Sequence, residues 1–307
     1  MSLPRRIVRP AATIALGLLS AACTTSSTRM GSSTSPTPAT ASPARVDAAS
    51  CFPIEQLPAS ERALAERVLL EFSDREGMYT LAGGLKPVSS DVRDLQLRIA
   101  PSLDTVKLAE LERLRVVSRA LHCGELGVFV QVFTATYPGR DSSIVRSASM
   151  VLYHRQSLRT AIARHAPFFA RLGVTPSADP REVVGAVENA PQADRWRGYG
   201  YLFGYPDDAV DFFVQAGIDG ERTKQIVPRD FRRVETFTKF PERQGGPLVN
   251  SSFVYAVPKG AAESAGDRAL REAAAPLFTR YRTMRAQHIR PDSTGAVALW
   301  RAWYSRR

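Results

Sequence analysis

Between Arg195 and Gly217 the chain reads Arg-Trp-Arg-Gly-Tyr-Gly-Tyr-Leu-Phe-Gly-Tyr-Pro-Asp-Asp-Ala-Val-Asp-Phe-Phe-Val-Gln-Ala-Gly, and no other stretch sets so many aromatic rings among so many glycines. Rings of that size bring a large apolar area that must be covered, and three of them carry a polar tip. Gly198, Gly200 and Gly204 permit backbone paths and close approaches that a Cβ forbids. Pro206 presets the first turn of a helix, Asp207 and Asp208 suit its positive end, and Gly217 can close it. The pattern predicts a tight aromatic loop feeding a short buried helix, at the centre of the fold and at the wall of any pocket.

The front of the chain has a different character. Arg5, Arg6 and Arg9 precede an apolar run from Ala11 to Leu19, interrupted only by Thr13, and Ser20-Ala21-Ala22 then leads into Cys23. A stable bilayer crossing needs about 20 apolar residues, so this run is too short to anchor the chain by itself. It has the shape of a secretory signal. Leu18-Leu19-Ser20-Ala21-Ala22-Cys23 resembles the lipobox of bacterial lipoproteins. The resemblance covers the signal alone. It implies cleavage after Ala22, lipidation of the Cys23 sulfur and attachment to a membrane through that lipid. The alternative is a plain secretory signal cut at the same place, leaving Cys23 free. Thr24 is compatible with the periplasmic face of the outer membrane if the source has two membranes.

Residues 24–50 are nearly all Ser, Thr, Ala, Pro and Gly. Such a segment buries too little apolar surface to offset chain entropy and is expected to be a disordered tether. The expected organisation is therefore a signal (1–22), a lipidated tether (23–50) and one globular domain (51–307). Cys51 and Cys123 are the remaining cysteines. In an exported chain an even pair points to a disulfide. Closing so long a loop stabilises by about 4 kcal/mol on the chain-entropy account.

Within the body, apolar spacing predicts helices over Pro58–Arg75, Leu103–Leu121, Ser157–Leu172 and Ala262–Met284, with shorter ones after Pro180 and near the end. Leu95, Leu97 and Ile99 alternate as in a strand. Glu125–Tyr137 and Ile144–His154 read as a hairpin, and Val234–Phe240 and Phe253–Val257 as two further strands. Strand pairs separated by helical runs, without strict alternation, indicate an α+β fold: an antiparallel sheet of roughly four to five strands packed with helices.

Recognisable catalytic patterns are missing. Gly198 to Gly204 has one residue too many before its third glycine for a dinucleotide fingerprint, and His122, His154, His165 and His288 show no metal-ligand spacing. No metal or other cofactor is expected. Nucleic acid is a poor partner for a chain that leaves the cytoplasm, despite a formal charge of +11. The last 28 residues carry seven arginines around Trp300, Trp303 and Tyr304. They suit either an anionic membrane surface or, as preferred, a helix that docks its aromatics and solvates its arginines. The candidate ligand set is Lys86, on a turn between Gly83-Gly84 and Pro87, with His154, Tyr199, Tyr201 and Asp207. Such a set could hold an anionic or hydroxylated ligand. The simpler reading is aromatic core with a solvated lysine nearby.

These observations favour a lipid-anchored envelope protein whose domain binds a ligand or partner without catalysis. An envelope hydrolase or transferase acting near the aromatic stretch is the second reading. Cells fed labelled palmitate should yield a labelled, N-terminally trimmed protein, and Cys23→Ser should abolish the label. An untrimmed, unlabelled wild-type product in the cytosol would contradict the assignment.

Overall fold

The computed structural model describes residues 47–139, 143–238, 240–241, 248–249 and 253–305. The signal, Cys23 and the tether through residue 46 lie outside the described residues, as does most of the connection 241–252. The described residues begin slightly before the expected domain boundary. Asp47 caps a 3-10 turn over Ala48–Ser50, its carboxylate accepting the Ala49 N–H at 3.0 Å.

Helix α1 (Ala59–Asp74) buries Leu64, Val68, Leu69 and Phe72 as its spacing dictates. Pro58 occupies its N-cap position. Gly77 opens the short helix α2 (Gly77–Leu81). Strand β1 (Val88–Ala100) is longer than the alternation of Leu95, Leu97 and Ile99 suggests. Register shifts on both sides of Val92, with Arg93 at φ 56°, break the period-two pattern over its first half. Helix α3 (Thr105–Ala120) is capped by Asp104 and buries Leu111, Leu114 and Val117, but Val106 in its first turn stays in solvent at 75% exposure.

Strands β2 (Leu126–Pro138) and β3 (Ile144–His154) form the expected hairpin, and β1 adds to its other side, giving the order β1-β3-β2. Side chains alternate across this sheet. Val128, Met150 and Leu152 enter the larger core with α1 and α3, while Phe129 and Val151 enter a second core. That second core is built from α4 (Arg155–Arg164), α5 (Ala166–Arg171), α6 (Pro180–Glu188) and α7 (Gln192–Leu202). The single helix expected over Ser157–Leu172 divides at His165 because Pro167 has no N–H to continue the ladder.

Helix α8 (Asp207–Thr223) is followed by β4 (Arg229–Val234), β5 (Phe240–Pro241), β6 (Leu248–Val249) and β7 (Phe253–Pro258). The strand expected at Val234–Phe240 thus lies earlier in the chain, with Val234 as its last residue. All pairing is antiparallel, and the α+β class is as expected. The five longer strands divide between the three-stranded sheet and a β4–β7 ribbon, with β5–β6 as a small separate pair.

Helices α9 (Ala265–His288) and α10 (Ala296–Ser305) close the larger core. Trp300 and Trp303 have no exposed surface, and the Trp300 indole donates to Ser73 Oγ at 2.7 Å. The terminal aromatics are therefore docked inside, which leaves the surrounding arginines to pair or solvate. Arg285 grips Asp74 through Nε and Nη2 at 2.7 and 2.9 Å, and Tyr281 donates to the same carboxylate at 2.6 Å. Cys51 and Cys123 are bonded, closing a loop 72 residues apart in sequence. No helix among the described residues is long and apolar enough to cross a membrane.

Candidate functional site

The aromatic stretch is a helix, not a loop. α7 runs through Trp196, Gly198, Tyr199, Gly200 and Tyr201, although each glycine costs about 1 kcal/mol of helix propensity relative to alanine. Tertiary contact overrides that cost. A Cβ on Gly198 would stand 2.7 Å from Val187 Cγ1 of α6, and one on Gly200 would stand 2.6 Å from Val210 Cγ2 of α8. The glycines are thus notches that admit neighbouring helices.

The helix ends in a Schellman motif. Tyr205 N–H donates to Gly200 O at 3.1 Å and Gly204 N–H to Tyr201 O at 3.2 Å, with Gly204 at φ +71°. Pro206 then starts α8, whose first turn carries Asp207 and Asp208. Gly217 does not end that helix, which continues to a left-handed cap at Lys224. It is a third notch, because a Cβ there would strike the Trp196 indole.

Once those faces of α7 are given to backbone contact, the rings turn to the others. Tyr201 stacks on His165 at 3.6 Å between centroids and meets Phe168 edge-on. Burial holds the His165 imidazole below its usual pKa, against the pull of Asp207 at 3.5 Å. Trp196, Tyr199 and Phe203 face a cavity of about 280 Å³ instead. Tyr205 continues its wall from the corner, and Ala209, Val210 and Phe213 from α8. The ribbon forms the opposite side with Val254, Tyr255 and Ala256 of β7 and with Phe231 of β4, which stays half-exposed at the mouth. Seven aromatic rings therefore border one hollow, and no carboxylate, imidazole, amine or thiol is among its lining residues.

The polar tips of two walls are already engaged. Tyr199 OH donates to Glu188 at 2.8 Å, and Tyr255 OH to Asp267 at 2.7 Å. Burial works against the Asp267 charge, but the Ser264 backbone N–H, the Tyr255 hydroxyl and Arg232 outweigh it and keep the carboxyl below its ordinary value. Asp267 also completes the capping box of α9 with Ser264. One carboxylate thus joins the ribbon to the helix behind it.

Of the residues expected to form a ligand set, Tyr199 lines the cavity, while Tyr201 is not among its lining residues and packs, half-buried, against the second core. Lys86 is not a solvated turn residue. It has no exposed surface, pairs with Glu76 at 3.1 Å, and lies over the rings of Phe203, Tyr205 and Phe253 at 4.9, 5.6 and 4.4 Å. Gly204 makes this possible, since a Cβ there would stand 2.6 Å from the Leu85 carbonyl oxygen. The His154 backbone N–H reaches the same turn, donating to Pro87 O at 2.9 Å. Its ring caps α4 by accepting the Ser157 N–H at Nδ1. Asp207 serves Arg164 and His165 at the start of α8. Lys86 and the tyrosines thus gather at the aromatic stretch, while His154 caps α4 and Asp207 pairs with Arg164 and His165.

Phe231 and Tyr255 were missed because they come from a ribbon far along the chain. The alternation around Phe253–Val257 identifies a strand but not what it faces. Among the described residues no group of three or more His, Cys, Asp or Glu is placed to hold a metal ion.

The lowered Asp267 pKa sets a pH dependence. A carboxyl depressed in the folded state contributes stability that is complete above its unfolded value, near 3.8, and is lost as pH falls through the folded value. Asp267→Asn should therefore unfold at lower denaturant than wild type at pH 6, by about 2 kcal/mol, and the gap should narrow below pH 4. A gap unchanged down to pH 2 would show that the Asp267 charge contributes nothing.

Comparison with family models, with curated proteins and with solved structures found no match to the chain.

Proposed function

We propose that this chain is a lipid-anchored cell-envelope protein whose globular domain binds an apolar ligand in the cavity between α7, α8 and the β4–β7 ribbon. The lipobox-like Leu18–Cys23 segment supports the anchor, and the Cys51–Cys123 bond fits an oxidising compartment. One observation carries the binding reading. A hollow of about 280 Å³ is walled by aromatic and aliphatic side chains, and the hydroxyls of Tyr199 and Tyr255 are bonded to Glu188 and Asp267. Small-molecule sites are concave and mostly apolar, with few polar groups to orient the ligand, and this hollow lies at the small end of their size range.

Hydrolysis or group transfer is the second reading. It calls for a nucleophile and a base converging on the hollow. Three ionisable groups that contact the lining rings, Glu188, Asp267 and Lys86, are each tied to a structural partner: Tyr199, the α9 cap and Glu76 respectively. That arrangement supports binding over catalysis.

Val254 is half-buried in the wall, so a large ring at that position would occupy the hollow without displacing the core. Naphthalene titrated into the wild-type domain should quench Trp196 and give a saturable calorimetric signal. Val254→Trp should weaken that binding by about tenfold or more while thermal unfolding stays close to wild type. Equal binding by both proteins would place the ligand elsewhere.

A further inference from the structure

Seven aromatic rings around one hollow resemble the cages that capture quaternary ammonium groups through their ring faces. A cation already occupies part of that surface here. The Lys86 amine does not line the cavity, but it lies over the faces of Phe203 and Tyr205, which do. The negative potential of those rings is directed to a charge fixed within the protein. A second cation on the cavity side of the same rings would stand about 9 Å from the first, near enough for repulsion to weaken its binding by about twentyfold in a protein-like medium. Glu76, 3.1 Å from the amine, offsets part of that repulsion.

Sugars and other polyhydroxylated ligands suit the hollow poorly as well. The hydroxyls of Tyr199 and Tyr255 already donate to carboxylates, and most other lining side chains are hydrocarbon. The available volume gives the size. An apolar cavity of about 150 Å³ accommodates benzene, so one of about 280 Å³ takes roughly two fused rings.

We infer that the cavity is a site for an uncharged, flat, two-ring group, and that Lys86 is a positioning residue that turns an aromatic cage against cations. This rests on the ligand-binding reading of the cavity given above. Lys86 acts through Phe203 and Tyr205 and does not touch the ligand.

The test uses naphthalene with an isosteric pair, tert-butylbenzene and phenyltrimethylammonium, titrated by calorimetry into the whole domain. Wild type should bind naphthalene, and should bind tert-butylbenzene at least about fivefold more tightly than its cationic isostere. The double variant Lys86→Met/Glu76→Gln removes both charges of the buried pair together. It should retain naphthalene and reduce the neutral-to-cation ratio by about threefold or more. An ammonium isostere bound by wild type as tightly as tert-butylbenzene would overturn the inference, with or without the variant. So would a ratio unchanged in a folded double variant. If wild type bound none of the three probes, the ligand-binding reading itself would fall. Binding without discrimination would leave that reading in place and overturn only the role of Lys86.

Discussion

Helix α7 packs between α6 and α8 only because three side chains across these contacts stand where a Cβ would ordinarily be, two at glycines of α7 and one at a glycine of α8. Val187 fills the notch at Gly198, Val210 fills the notch at Gly200, and Trp196 of α7 itself fills the notch at Gly217. Interiors are packed to crystal-like density, so these close contacts dictate where the larger groups go. With two faces of α7 taken by backbone contact, Tyr201 turns to His165 and Phe168. Trp196, Tyr199 and Phe203 are left facing the ribbon. The cavity is what remains between rings too bulky to interdigitate.

The rest of the molecule holds the ribbon opposite those rings. Tyr79 OH donates to the Glu235 carbonyl and Thr238 N–H to the Asp74 carbonyl, joining the chain just after β4 to the α1–α2 region. Asp74 also takes Tyr281 and Arg285 from α9, so one acidic residue gathers three segments of the chain. On the cavity side, Asp267 ties Tyr255 of β7 and Arg232 of β4 to the α9 cap. Gly266 of α9 lies against Pro206 at the α7–α8 corner, where a Cβ would stand 2.9 Å from the ring. Lys86 completes the enclosure from behind. Its charge is stabilised by Glu76 and three ring faces, and breaking such a buried pair on one side alone is costly.

Much of this organisation was legible in the sequence and some of it was not. The Glu125–His154 hairpin could be read because branched and aromatic residues flank a Pro-Gly turn. Helix α6 could be read because Asp179-Pro180 is a cap followed by a first-turn proline. Cys51 and Cys123 could be paired by elimination in an exported chain. The aromatic stretch borders the cavity, as its rings suggest, but it is a helix and not the loop its glycines suggest. Glycine in alternation with tyrosine lowers local helix propensity, and only the presence of Val187 and Val210 shows why glycine is required. Lys86 was singled out for its turn, yet its complete burial depends on Glu76 and on Phe253, far apart in the chain.

The charge arrangement around the hollow has a consistent logic. Carboxylates take up the tyrosine hydroxyls and an amine takes up the ring faces, so the surface left to a ligand is hydrocarbon in character. The central claim is that this hollow is dry and apolar. Crystals of the domain placed under xenon pressure test it directly, because xenon enters apolar cavities and does not displace well-bonded water. The account predicts xenon density bordered by Tyr199, Phe203 and Val254. A chain of ordered waters hydrogen-bonded along the same walls, with xenon excluded, would contradict it.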